Sequence, residues 1–377
     1  MTQIIFQPSE VKKAIKRLQA NSSPGEDGIG SNILHQYQNQ IINPLTMIFN
    51  NSLRTRLPLE NPYISKMIPI PKPAKPKQLK ESHRGISLTS IIVKLMERTV
   101  QERLKSHIKK NKMMDKTQFG FVESRSCQQN VLHLINFIIA NCSNNVGVTT
   151  VYTDMKKAFD QVQHPILIKK LKEQFNVAGD VLKWIHDFLS NRQQITTVEG
   201  CESETKPVIS GVCQGSTNGP EYYNIHMSDL QLEGATTSAD DPKMDKAQLS
   251  KFADDQNLAH RIDSETEETM KEDEDELQRH LDSLFKWSEK NKSEFNPTKF
   301  QMIHYTLENS AASKKIPHLV IKTNDGKEIE AVEEVLHLGT YMNQHLNWQT
   351  NIQHIKIKTW RAIHLILRTF RLFASHI

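Results

Sequence analysis

Residues 248–260, Gln-Leu-Ser-Lys-Phe-Ala-Asp-Asp-Gln-Asn-Leu-Ala-His, constrain the fold more than any other stretch of this chain. They read as two short strands joined by a tight turn, with two adjacent acids, Asp254 and Asp255, at the tip. Leu249, Lys251 and Ala253 alternate with Ser250 and Phe252 on the way in, and Asn257 to His260 lead out. Asp tolerates the backbone angles that a two-residue turn demands. Two carboxylates side by side on a rigid hairpin repel each other unless a cation lies between them. Hard carboxylate oxygens suit Mg²⁺, which takes one or two protein carboxylates and leaves room for substrate phosphates. The plain alternative is an Asp-Asp turn that only faces water, and on so short a signal alone it is the better reading. The partners offered by the rest of the chain do.

The second decisive segment is Tyr152-Thr153-Asp154-Met155-Lys156-Lys157-Ala158-Phe159-Asp160. The β-rich run Val148–Tyr152 delivers Asp154 where a strand gives way to a helix-like turn. Asp154 precedes Asp254 by a hundred residues, so only the fold can bring them together. Carboxylates from two such elements can hold two Mg²⁺ ions about 3.5–4 Å apart, the arrangement for in-line nucleotidyl transfer.

Composition is that of an ordinary globular chain: 377 residues, 37% hydrophobic and 24% charged. Net charge is +5 with a pI near 8.8, a mild excess that favours a polyanionic partner. The basic residues cluster at 101–120 (Arg103, Lys105, Lys109, Lys110, Lys112, Lys116) and in the acid-free stretch 350–377. Residues 265–276 are acidic and read as a solvated helix face and first turn. Cys127, Cys142, Cys201 and Cys213 have no metal-ligand spacing and point to a reducing compartment. No apolar run approaches membrane-spanning length, and the N-terminus lacks a signal-peptide pattern, so an intracellular, non-secreted protein is expected.

Helical spacing predicts helices over 8–20, 31–54, 90–110, 128–141, 165–173, 179–190, 219–231, 265–291 and 350–373. Prolines 69, 71 and 73 make 65–73 an edge strand or extended arm, not a central strand. Residues 193–199 and 206–210 read as a hairpin, with strands also near 299–306, 318–323, 327–332 and 335–339. Residues 234–247 are small and polar and read as an insertion. Asp240-Asp241 there is a decoy, because Pro242 prevents a strand from leaving the turn. Hairpins with helices segregated around them indicate an α+β fold.

Taken in order, several segments resemble the reverse transcriptases of jockey-type non-LTR retrotransposons. They are Ser23–Gly28, Ile68–Lys72, Arg84–Leu88, Gln118–Phe121, Asp154–Asp160, Gly211–Gly215, Phe252–Asp255, Asn296–Lys299, Leu338-Gly339 and Leu346–Trp348. The resemblance covers nearly the whole chain. It implies a right-hand polymerase: fingers and an N-terminal extension at 1–145, a palm with an antiparallel sheet at 146–305, primer-grip hairpins at 306–349 and a partial thumb helix at 350–377. It implies an RNA-directed DNA polymerase that extends a DNA primer on an RNA template from dNTPs, using two Mg²⁺ ions, with Mn²⁺ as an alternative ion.

On matching positions, the resemblance makes Asp154 and Asp254 the metal ligands with Asp255 beside them, and Lys299 the lysine that protonates the leaving pyrophosphate. Lys72 and Arg84 would grip the triphosphate, Gln214 and Gly215 would line the nucleotide pocket, and Phe159 would lie under the sugar and exclude a 2′-hydroxyl. Leu338-Gly339 would belong to the primer grip. For Phe159 the alternative is a simple core aromatic, and for Lys72 an exposed basic loop. The chain departs from the family pattern at Phe252 (Tyr), Cys213 (Pro), Gly85 (Pro), the basic positions of 122–123, and Asn218 and Glu221, which replace apolar residues. These departures, and the lack of endonuclease, zinc-knuckle and full thumb segments, support a second expectation: a catalytically weak, truncated nucleic-acid-binding remnant of such an element. A viral RNA-templated RNA polymerase is disfavoured by Phe159.

Overall fold

The computed structural model describes residues 1–56, 58–59, 63–73, 76–213, 215–233, 246–263, 266–308 and 319–374. It is 46% helix and 20% strand. The helices are α1 (Pro8–Lys16), α2 (Ser31–Gln36), α3 (Gln38–Thr55), α4 (Ile91–Lys110), α5 (Cys127–Cys142), α6 (His164–Glu173), α7 (Gly179–Ser190), α8 (Gly219–His226), α9 (Glu267–Asn291) and α10 (Gln349–Ala374). The strands are β1 (Tyr63–Pro71), β2 (His83–Thr89), β3 (Gly147–Asp154), β4 (Arg192–Val198), β5 (Cys201–Glu202), β6 (Lys206–Pro207), β7 (Ala247–Phe252), β8 (Asp255–Ile262), β9 (Gln301–Tyr305), β10 (Glu334–His337) and β11 (Thr340–Asn343). The chain folds into two units. One comprises Met1–Lys116, Lys156–Leu230 and Ser288–Glu294; the other comprises Thr117–Met155, Gln231–Trp287 and Phe295–Ile377.

The first unit carries a sheet in the order β2-β1-β4-β5, with β6 also on β4. β1 is therefore flanked on both sides, which corrects the edge-strand expectation. The reason lies in the register. β4 pairs only with Tyr63–Met67, whereas Pro69 and Pro71 fall in the half paired with β2 alone, so their missing N–H groups break no ladder on the other side. The helix expected over 31–54 is two, because Tyr37 leaves helical geometry (φ −103°, ψ 21°) between α2 and α3. α4 begins at Ser90, whose hydroxyl accepts the Val93 N–H, and buries Leu95, Met96, Val100 and Leu104.

The second unit is built on the antiparallel sheet β7-β8-β3-β9. β3 is buried along nearly its whole length, as its Val- and Thr-rich sequence requires of a central strand. α5 presents Leu134, Phe137 and Ile138 to a core shared with Val148, Tyr152 and Tyr305. β10 and β11 form a separate hairpin whose turn is Leu338-Gly339, both at positive φ (46° and 83°), the signature of a type I′ turn. Of the two strands expected at 318–332, the described residues show isolated bridges, Lys322 to Glu328 around the turn at Asn324–Gly326 and Ala331 to Met302 of β9; residue 318 lies outside them. The acidic run is not wholly solvated: Asp273 is buried, with its carboxylate 2.8 Å from the Lys246 ammonium. No described helix is long and apolar enough to cross a membrane.

Candidate active site

The site in the second unit follows from strand register. β3 ends at Asp154, and Asp154 is the direct cross-strand partner of Asp255, the first residue of β8. Paired residues of an antiparallel ladder project to the same face, so these two carboxylates are neighbours. Phe252 pairs with Asp255, so the two-residue turn is Ala253-Asp254, not Asp254-Asp255. The strained backbone angle therefore falls on Ala253, at φ 56°, and not on the aspartate expected from the sequence. Asp254 stands at the tip.

A fourth charged group joins from the other side of β3. The segment after α9 docks on the end of that strand: Met155 bridges Phe295, and the Asn296 N–H donates to the Asp154 carbonyl at 2.8 Å. The short helical turn Pro297–Lys299 then brings the Lys299 ammonium to 2.5 Å from Asp154 Oδ2. The resemblance makes Lys299 the proton donor to the leaving group, and its ammonium lies on the first acid.

Asp154, Asp254 and Asp255 gather at one end of the sheet, with the Lys299 ammonium on Asp154. Asp255 registers this. Although the residue is exposed, protein crowds its carboxyl, whose pKa is pushed up to about 6, by desolvation first and then by the charges of Asp254 and Asp154, with Lys299 pulling the other way. All the donors are hard oxygens, and the mutual repulsion that raises Asp255 is the kind a divalent cation relieves, so the residues present fit such an ion. A second cluster, His260, Asp273 and Glu276, has metal-like spacing, but there the Lys246 ammonium already bridges the acids at 2.8 and 2.6 Å.

Behind the acids lies a buried polar layer that sequence reasoning missed. Asn257 and Asn130 both reach His337 Nε2, at 3.3 and 3.0 Å, and the Tyr152 and Tyr305 hydroxyls meet at 2.9 Å. Asn257 pairs with Tyr152 two residues behind the Asp154–Asp255 pair, so the same sheet face carries this layer and then the acids. Alternating polar residues in a strand signal only a half-solvated face, which is why their burial was not legible.

The first unit holds the other residues singled out. The Phe159 ring is half-buried and stacked on buried Tyr223, with centroids 5.1 Å apart and planes 12° from parallel. Its carbonyl accepts the Val212 N–H at 2.9 Å, and Val162 O accepts the Gly211 N–H at 2.7 Å, so the Phe159 turn and the Gly211 loop are stitched together. Gly211 and Gly215 take φ of 87° and 109°; a Cβ on Gly211 would meet the Asp160 backbone at 2.9 Å, so glycine is required there on both counts. Gly215 approaches the Ser87 carbonyl of β2. Gln214 lies outside the described residues. Arg84 is exposed on β2 opposite Ile70, and the Lys72 ammonium donates to the Glu81 carbonyl at 2.8 Å. A cavity of about 280 Å³ lies beside this loop, lined by Gly85, Ser87, Asp160 and Gly211 among others.

The basic stretch at 101–116 is less available than its sequence suggests. Arg103 is paired with Glu10 and Lys105 lies 3.7 Å from buried Glu221. Beneath the loop, sequence reasoning missed Glu97 of α4, which is fully buried. Burial pushes its carboxyl up to about 7, against the pull of Arg192 and Lys94; Ser216 and the Thr217 N–H lie near without forming well-made hydrogen bonds to it.

An acid-bearing strand end meeting an acid-tipped hairpin is the site to set beside the comparison with known proteins. Residues 70–344 match the family described as reverse transcriptase (RNA-dependent DNA polymerase), and the chain belongs to that family. Among curated relatives it is 27% identical over 349 residues to the RNA-directed DNA polymerase from mobile element jockey of Drosophila funebris, covering 92% of this chain and 36% of that protein. It is 32% identical over 291 residues to the probable RNA-directed DNA polymerase from transposon BS of Drosophila melanogaster, covering 77% of this chain and 31% of that protein. The jockey polymerase of Drosophila melanogaster is 27% identical over 347 residues. The resemblance to non-LTR retrotransposon polymerases therefore holds, and the chain spans about a third of the length of these relatives.

Proposed function

We propose that this chain is an RNA-directed DNA polymerase of a non-LTR retroelement, extending a DNA primer on an RNA template from dNTPs. The observation that carries the reading is the Asp154–Asp255 cross-strand pair with Asp254 at the adjoining tip. In this reading Asp154, Asp254 and Asp255 hold two Mg²⁺ ions, which Mn²⁺ can replace. When bound, these ions supply activation of the primer 3′-hydroxyl and charge neutralisation at the triphosphate.

Lys299 holds the Asp154 carboxylate in place and is the proton source for the departing pyrophosphate. Arg84 and Lys72 clamp the triphosphate, with Arg84 the better suited because Lys72 is engaged at Glu81. Gly215 and Gln214 line the nucleotide pocket. Phe159, kept upright by its stack on Tyr223, lies under the sugar. Fingers at 1–145, palm at 146–305, primer grip at 306–349 and partial thumb at 350–377 complete the assignment, with the protein acting inside the cell.

One observation favours the second reading, a catalytically weak nucleic-acid-binding remnant. Asn218 and Glu221 are both buried at the start of α8, Glu221 with its pKa raised by desolvation. A polar pair buried at the foot of the nucleotide loop weakens the unit that carries it. Primer extension on an RNA template with deoxynucleotides and Mg²⁺ separates the two. Extension that chelation stops and Asp254→Asn removes supports the polymerase; template binding without extension supports the remnant.

A further inference from the structure

We propose that Gln118 is a positioning residue that sets the geometry of the catalytic turn. This rests on the reading that Asp254 and Asp255 hold the metal ions. Residues 117–119 run beside β7 as one more short strand: the Lys251 N–H donates to Thr117 O at 2.8 Å, and the Phe119 N–H donates to Lys251 O at 2.7 Å. Gln118, only 1% exposed, bridges Lys251 in this pairing.

Its side chain does something the ladder cannot. Gln118 Oε1 accepts the Ala253 N–H at 2.9 Å and the Gly120 N–H at 2.8 Å. Ala253 is the first turn residue, held at φ 56°, and its N–H has no place in the β7–β8 ladder. Two backbone donors converge on one side-chain atom, which fixes that atom as the carbonyl oxygen; Nε2 finds no partner among the described residues. A hydrogen bond made 135 residues away thus stabilises the strained residue that aims Asp254 and Asp255.

The neighbouring residues are shaped to the same end. Gly120 lies so close to the turn that a Cβ would collide with the Ala253 amide nitrogen. The Arg125 guanidinium donates to the Gln118 carbonyl, and Asn130 Nδ2 donates at 3.3 Å to Lys251 O, the β7 carbonyl that also accepts the Phe119 N–H. The segment Gln118-Phe119-Gly120 is therefore a clamp on the turn, with no contact to substrate required of it.

The test is hydrogen exchange on the intact chain, resolved to peptides covering 251–256, for Gln118→Met and Gln118→Glu. Met matches the volume of Gln and removes the acceptor; Glu keeps it. Gln118→Met is expected to speed exchange at the turn about tenfold, the loss of one hydrogen bond, with 257–262 unchanged. Gln118→Glu is expected to keep the turn protected. In primer extension, Gln118→Met is expected to lower kcat by roughly 10- to 100-fold with the deoxynucleotide KM unmoved. Unchanged turn protection in Gln118→Met, or loss spread evenly through the sheet with a lower Tm, overturns the proposal. Undiminished extension by Asp254→Asn overturns the metal-site reading instead, and leaves the exchange result standing.

Discussion

In the second unit the three acids hang from an antiparallel ladder: Asp154 and Asp255 are paired residues, Asp254 is one step away, and Gln118 and Lys299 each add a bond from a separate segment. In the first unit the Gly211–Ser216 loop is held by two backbone bonds to the Phe159 turn, a His164 Nε2–H bond to the Gly211 carbonyl at 2.8 Å, and glycines at positive φ. Beneath it lies Glu97, buried and poorly satisfied. The acid site is thus held by a continuous ladder and by bonds from two further segments, the Gln118 bond to Ala253 being one that no ladder bond duplicates. The loop is held by single bonds without a ladder and lies over a buried carboxyl. Rigidity of the first kind is what a metal centre requires.

The sharpest way to break this contrast is to unseat the turn. Gly120→Val places a branched side chain where even a Cβ would meet the Ala253 nitrogen. Extension is expected to fall by at least about 10²-fold, because displacement of reacting groups by about 1 Å costs that much. Retention of most activity would show that the turn is held by its own ladder alone.

The next effect is thermodynamic and belongs to the loop. The folded-state pKa of Glu97, about 7, stands above its ordinary value of 4.5, so the folded protein keeps a proton that the unfolded chain releases in between. Stability from this group is full below about pH 4.5 and declines as pH rises to about 7. Glu97→Gln removes the titrating group and should stabilise the protein by an amount that grows over this window to about 3 kcal/mol at and above pH 7. Urea midpoints of both proteins across pH 4.5–8 measure it. A difference that does not change with pH would mean that Glu97 is ionised throughout.

The smallest effect is one of selectivity. Phe159→Ala is expected to raise ribonucleotide use relative to deoxynucleotide use by roughly tenfold in competition assays, since steric exclusion is then relieved. If the ring serves only as packing on Tyr223, both rates should fall together with stability and the ratio should stay fixed.

Much of the acid site was legible in the sequence because its parts are local: a β-rich run ending in Asp154, and an alternating hairpin with acids at its turn. What was not legible depends on register and on distance along the chain. The turn is shifted by one residue, to Ala253-Asp254, because pairing of Phe252 with Asp255 decides it and no local preference does. The central position of β1 follows from β4 pairing with only its proline-free end. Gln118 and Glu97 left no periodic signal, since each acts through a contact with a remote backbone or a buried charge. Asp273 is indistinguishable in the sequence from its solvated neighbours, because its partner Lys246 is remote along the chain.

The central claim is that Asp154, Asp254 and Asp255 form a single metal centre. Fe²⁺-directed cleavage tests it most directly: Fe²⁺ replaces Mg²⁺, ascorbate and peroxide are added, and the sites of backbone scission are mapped. The account expects cuts confined to the neighbourhoods of residue 154 and residues 253–256, suppressed by excess Mg²⁺ and lost in Asp254→Asn. Cleavage at only one of the two segments, or cleavage that Asp254→Asn leaves intact, would contradict it.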